Sequence, residues 1–252
     1  RNLIMAPDDL IFKTFSIDGI PVISGRKNNF AAGPLMIFLH AFRDTKEFFI
    51  ADMKFFSQHG FFTISLDNRN HGERNEVPFD VFCKEDGRFN IVKVRSIVNT
   101  TSYDVPLIIS HLARDFTFTK ICLYGVSLGG FIAFKALTLD DRIDYAALFL
   151  SSPYWDDIPS SRFFLNNEAV NKELKSFAEQ NSPVQRKEIL LKKKILLQIG
   201  TEDQHFNIEK LKEFVSYMKA SNSFDYFEYP VRHEVTDEMK TRANAWILEK
   251  LS

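Results

Sequence analysis

Ser127, Asp203 and His233 are the residues whose types and places in the chain point to acyl-transfer chemistry. A serine hydroxyl is a weak nucleophile at neutral pH. It needs a base to take its proton and a carboxylate to orient that base and stabilise its charged form. Ser127 sits in Gly125-Val126-Ser127-Leu128-Gly129, the pattern G-x-S-x-G. In a nucleophile elbow this pattern lifts a serine on a sharp strand-to-helix turn clear of a sheet, and the small flanking residues let neighbouring backbone pass close by. The helix that follows faces a developing oxyanion with free amides and the positive end of its dipole. An ordinary corner in which Ser127 only caps a helix fits the same five residues. The flanks favour chemistry: Ile121, Leu123 and Tyr124 read as a strand, and Phe131, Ile132, Phe134, Ala136 and Leu137 as a helix.

The acid and the base come from the second half of the chain. Asp203 ends Ile-Gly-Thr-Glu-Asp after the apolar run 194–199, and His233 ends Tyr-Pro-Val-Arg-His after the run 224–229. Each falls just beyond the carboxyl end of a predicted strand, where open α/β sheets bind ligands. Glu202, next to Asp203, is the competing acid. Among the other histidines, His71 lies on a strand-end loop, His40 closes an apolar run, and His111 lies on a predicted helix. His59 and His205 are near loops without directly following a strand. No H-E-x-x-H, paired C-x-x-C or calcium loop occurs, and the glycines lack both nucleotide-binding spacings, so no metal and no cofactor is expected.

These residues must be positioned by alternating strands and helices. Residues 10–17 and 21–23, separated by Asp18-Gly19, predict an antiparallel hairpin. Continuous apolar runs at 35–39, 61–66, 121–126, 145–150 and 194–199 predict strands buried on both faces of a parallel sheet, with 224–229 completing it. Helices are predicted over 46–59, 101–112 with Pro106 near its first turn, after Ser127 through Phe131 to Leu137, 207–220 and 236–251. Residues 75–98 are poorly patterned and read as a surface excursion. Residues 152–193 are too long for a plain connection and read as a small, mainly helical cap, in which Trp155, Phe163, Phe164 and Leu165 either face a substrate or pack the cap onto the core.

With 252 residues the chain suits one α/β domain, and the 26 phenylalanines are expected chiefly in packing. A formal net charge of −1 leaves no electrostatic footprint for nucleic acid or an anionic membrane. No apolar run reaches the roughly 20 residues of a membrane span. Cys83 and Cys122 stand in unlike surroundings, which argues against a disulfide framework and suits a reducing compartment. Without a signal-peptide layout the expected location is cytoplasmic, although a sequence opening on Arg1 leaves a removed leader open.

Over nearly its whole length the chain resembles an α/β-hydrolase-fold serine hydrolase, and more closely the esterase and prolyl-oligopeptidase-like branch. The resemblance is carried by Gly-Val-Ser-Leu-Gly-Gly, by the order Ser, Asp, His, and by Asp67-Asn68-Arg69-Asn70-His71-Gly72, which is similar to a D-x-R-x-H-G pattern of that superfamily. It implies a mostly parallel sheet flanked by helices with a helical cap insertion. It also implies a triad of Ser127, His233 and Asp203, and an oxyanion hole from the amides of Phe42 and Leu128. His71 and His40 would then be structural. Ala41 stands where the family usually has glycine after the histidine. The implied activity is cleavage of a carboxylic ester with a small to medium acyl or aryl group, through an acyl-enzyme. The same site in relatives also cleaves thioesters and peptides or transfers acyl groups, and peptidase members usually carry an extra propeller domain. A ligand-binding member that keeps the fold without turnover is the reading from another class. The partner implied is a small-molecule ester; oligomeric state is not legible.

Overall fold

The structure is a computed structural model and describes residues 3–5, 9–75, 88–157, 164–221 and 223–251. Nine strands among the described residues form one sheet in the order β1-β2-β3-β5-β4-β6-β7-β8-β9. β1 (Leu3–Met5), β2 (Leu10–Ile17) and β3 (Ile20–Lys27) are antiparallel, and β3 also pairs antiparallel with β5. β4 (Ala32–Leu39), β5 (Phe62–Leu66), β6 (Thr117–Val126), β7 (Tyr145–Phe149), β8 (Lys194–Gly200) and β9 (Phe224–Tyr229) run parallel. The hairpin forms where expected, with Asp18 and Gly19 both at positive φ, as a two-residue turn between twisted strands requires. β3 runs further than 21–23, and β1 was not anticipated.

The apolar runs form interior strands because both faces of the sheet are covered. On β4, Leu35, Ile37 and Leu39 enter one core, while Met36 and Phe38 enter the other. The first core is closed by α2 (Ile91–Ser102), α3 (Asp104–Leu112), α4 (Leu128–Leu137) and α7 (Ile208–Met218), and the second by α1 (Ile50–Gln58) and α8 (Asp237–Leu251). Alternation of period two with apolar residues on both faces is what a doubly covered strand demands.

Two expectations need correction. The helix over 46–59 is split, a 3-10 turn at Lys46–Phe49 leading into α1. Part of the supposed excursion 75–98 is α2, which presents buried Ile91, Val94, Ile97 and Val98 to the core; the segment expected to begin one helix at Thr101 ends α2, and α3 starts at Asp104. Pro106 does lie in the first turn of α3. Between β7 and β8 the described residues include α5 (Glu168–Asn181), a 3-10 turn at Pro183–Arg186 and α6 (Lys187–Leu190). Phe163 and Cys83 lie outside the described residues.

Candidate active site

Ser127 stands between β6 and α4 with φ 52° and ψ −113°, a backbone state that L side chains rarely adopt. The corner is held by its neighbours: Ser127 N–H donates to the Phe149 carbonyl at 2.9 Å, and Phe131 N–H donates to the Ser127 carbonyl at 3.1 Å. Gly129 is needed because a Cβ there would overlap the Leu39 carbonyl of β4. The first turn of α4 is thereby pressed onto the end of β4. Leu128, the first residue of α4, carries one of the amides that a helix leaves without an internal partner.

The ends of β8 and β9 bring the other two residues to this corner. Thr201 N–H donates to Tyr229 O at 2.8 Å and Glu202 N–H to Val231 O at 3.0 Å, so the two strand-end loops are joined. A Cβ at residue 200 would overlap the Val231 and Arg232 carbonyls, so only glycine lets them cross there. Asp203 Oδ2 lies 2.6 Å from His233 Nδ1, and His233 Nε2 lies 2.6 Å from Ser127 Oγ. Asp203 is 6% exposed. Burial works to raise its pKa, but hydrogen bonds from His205 and His233 outweigh burial and hold it at about 2. An ionised carboxylate can only accept, which puts the proton of His233 on Nδ1 and leaves Nε2 free to accept from Ser127. Glu202, the competing acid, is exposed and faces Arg232 at 3.9 Å instead.

His205 was set aside in the sequence, yet it lies inside the constellation. Its backbone N–H and its Nδ1 reach Asp203 Oδ1 at 2.9 and 3.1 Å, and its ring stacks on His233 with centroids 3.9 Å apart. Asp203 thus grips two imidazoles with opposite oxygens. The signal was the spacing Asp-x-His, which lets one turn fold the histidine back onto its own aspartate. Among the described residues, Asp203, His205 and His233 are also the group whose metal-ligating atoms converge, all within 4.8 Å. Each imidazole has its Nδ1 against the carboxylate, at 3.1 Å for His205 and 2.6 Å for His233.

The turn after β4 carries Phe42. His40 is fully buried, and burial pushes its pKa down to about 4. Its neutral ring accepts from Asn68 N–H at Nε2 (3.0 Å) and donates from Nδ1 to the Ala41 carbonyl (2.8 Å). Asp44 N–H donates to the same carbonyl at 3.3 Å. Because C=O and N–H of a trans peptide point opposite ways, pinning this carbonyl fixes the direction of the Phe42 amide. Ala41 is not at positive φ, so the turn does not need the glycine usual in relatives. His71, whose pKa burial also lowers, donates from Nδ1 to the Arg69 carbonyl (2.9 Å) and places its ring against His40 and Phe42. His59 and His111 lie outside the site, on α1's end and on α3.

The Asp67-to-Gly72 loop holds this half of the site through charge. Asp67, fully buried, accepts from Lys46 Nζ and Lys46 N–H at 2.9 Å each and from Glu73 N–H at 3.0 Å. Arg69 and Arg74 both grip Asp104 of α3.

These residues open on a cavity of ≈ 470 Å³. Its walls are mostly apolar, with Phe42, Phe89, Val94, Leu128, Phe131 and Phe164 around Ser127 and His233. Of the described apolar cap residues singled out in the sequence, Phe164 lines it, while Leu165 and Trp155 are buried, the latter stacked on Phe177 at 6.2 Å.

A family model described as serine aminopeptidase, S33, matches residues 32–187. No curated protein matches the sequence. Among solved structures, TT1662 from Thermus thermophilus aligns with a TM-score of 0.76 at 19% identity, over 95% of this chain and 97% of its own. An esterase from Pyrococcus furiosus gives 0.68 at 18%, over 94% and 92%, and an acylaminoacyl peptidase from Pyrococcus horikoshii gives 0.69 at 14%, over 96% of this chain and 42% of its own. At these identities the likeness is one of fold. Sequence family and topology agree: the chain belongs to the serine aminopeptidase S33 family of α/β-hydrolase-fold serine hydrolases.

Proposed function

We propose that this chain hydrolyses carboxylic esters of small to medium acyl or aryl acids through an acyl-enzyme on Ser127. The observation that carries the reading is the unbroken relay from Ser127 Oγ through His233 to Asp203, at 2.6 Å for each step, on the wall of an apolar cavity. In this mechanism His233 Nε2 takes the Ser127 proton as Oγ attacks the ester carbonyl, and Asp203 stabilises the resulting imidazolium. The amides of Phe42 and Leu128 receive the oxyanion; one such donor is typically worth about 3 to 4 kcal/mol of barrier. His233 returns the proton to the leaving alcohol, then draws one from the water that attacks the acyl-enzyme. His205 holds Asp203 from its other oxygen. Residues 152–193 act as a cap on a single domain and bring Phe164 to the cavity wall.

The test is a panel of p-nitrophenyl esters of rising acyl length, run with Ser127→Ala as control. Wild-type protein should turn over the shorter members, and the variant should lose activity by about 10⁴-fold or more with its thermal transition in place. Retained hydrolysis by the variant would remove Ser127 as nucleophile. Turnover of peptide anilides in preference to esters would replace the esterase reading with a peptidase one.

A further inference from the structure

Arg95 is the feature of this cavity that ester chemistry leaves unexplained. It lies on α2, and Ile91, Val94 and Arg95, at helical spacing, turn one face of that helix to the cavity. The residue is 2% exposed, and its guanidinium lies 3.9 Å from the centre of the Phe131 ring. Phe131 is one turn along α4 from Ser127, whose carbonyl accepts its N–H.

Other buried or half-buried cations among the described residues have direct polar partners: Lys46 has Asp67, Arg74 has Asp104, Lys135 donates to the Asn181 carbonyl and Lys193 to the Ile143 carbonyl. Arg95 does not. Its Nε is buried with no hydrogen-bond partner, and among the described residues no carboxylate reaches the guanidinium at ion-pair distance. Burial lowers its pKa to about 10, with Asp157 and Asp156 opposing that through space. Asp156 contacts Lys210 at 2.6 Å and Asp157 contacts it through Oδ1 at 3.2 Å; Asp157 Oδ2 is buried without a hydrogen-bond partner, but neither carboxylate stands at ion-pair distance from Arg95. The bland account is that Arg95 is cation–π packing on Phe131. Such a contact is worth about 2 kcal/mol even when desolvated, whereas stripping water from a guanidinium takes several kcal/mol. Packing and the two through-space carboxylates therefore leave the guanidinium without a direct anionic contact, and a methionine of similar length would pack as well without the charge. A buried fork of N–H donors facing an apolar cavity beside a reactive serine is suited to one planar anion.

We propose that the part of the substrate that enters the cavity carries a carboxylate, which Arg95 binds, so that the physiological ester is a half-ester or a carboxylated aryl ester. This inference rests on the ester-hydrolase reading above. One guanidinium matches one negative charge, which favours a carboxylate over a phosphate monoester. The apolar walls then take the chain or ring between that carboxylate and the scissile bond.

The experiment compares matched pairs: monomethyl succinate, glutarate and adipate against methyl butyrate, valerate and hexanoate, and 4-acetoxybenzoate against phenyl acetate. The first set puts the anion on the acyl side, the second on the leaving group. For at least one pair, kcat/KM should favour the anionic member by on the order of tenfold or more, and that ratio should collapse in Arg95→Met and survive in part in Arg95→Lys. Equal ratios in wild type and Arg95→Met, or a wild-type preference for every neutral member, would overturn the proposal. A second arm does not depend on turnover: monomethyl glutarate and 4-acetoxybenzoate are titrated calorimetrically into Ser127→Ala and into Ser127→Ala with Arg95→Met. Arg95-dependent binding without wild-type hydrolysis would keep the anion site and sink the esterase reading. Hydrolysis without any Arg95-dependent preference or binding would do the reverse.

Discussion

A buried neutral histidine sets the condition under which the turn carrying Phe42 keeps its shape. His40 accepts from Asn68 and donates to Ala41, and a second proton on its ring would put a donor against the Asn68 N–H. Its folded pKa, about 4, lies below the ordinary 6.5, so the unfolded chain takes up the proton first. Stability on this account is complete above pH 6.5 and declines as pH falls toward 4, by about 3 kcal/mol at the limit. Urea unfolding followed from pH 7 to 4 should show that slope, and His40→Gln should flatten it; an unchanged slope in the variant would assign it to other groups. Asp203 behaves differently. Held at about 2, it keeps its charge through the same range, so acid does not disarm it first. Ser127, Asp203 and His233 were legible in the sequence because each follows an apolar run at a strand end. His205 was not, because its place depends on a turn folding back onto Asp203, which no hydrophobic pattern records.

At the scale of elements, charge does what packing cannot in the loop after β5. Lys46, 2% exposed, ties the 3-10 turn before α1 to Asp67 at 2.9 Å, and Asp67 in turn receives Glu73 N–H. Lys46→Met would leave the Asp67 carboxylate buried without its cation, a change that typically costs about 3 kcal/mol or more. Denaturant melts should show that loss, and Lys46→Met with Asp67→Asn should recover part of it; additive losses would mean the two groups do not act as a pair. The interior strands β4, β5, β7 and β8 were easy to read, since their apolar runs are buried on both faces and bounded by polar loops. α2 was hidden. Ile91, Val92, Val94, Ile97 and Val98 are β-branched, which suits strands, and Arg95 interrupts the apolar face. Asn90, whose side chain accepts from Val92 N–H at 2.9 Å, was the one local sign of a helix start.

Across the whole molecule, the sheet with its two covering layers places three distant stretches of chain, around residues 127, 203 and 233, beyond the ends of β6, β8 and β9, with β7 between the first two. Among the described residues no helix is long and apolar enough to cross a membrane. The architecture was legible from the order of its elements; the composition of the cavity was not, because beside α4 and the end of β6 its walls draw on α2, on the loops after β4, β8 and β9, and on Phe164. On the proposed reading this architecture activates Ser127, and labelling with a fluorophosphonate probe, with the adduct located by mass spectrometry, is the decisive measurement. A single adduct on Ser127 that is lost in His233→Ala is expected. A folded wild-type protein with no adduct, or with its adduct on another residue, would contradict it.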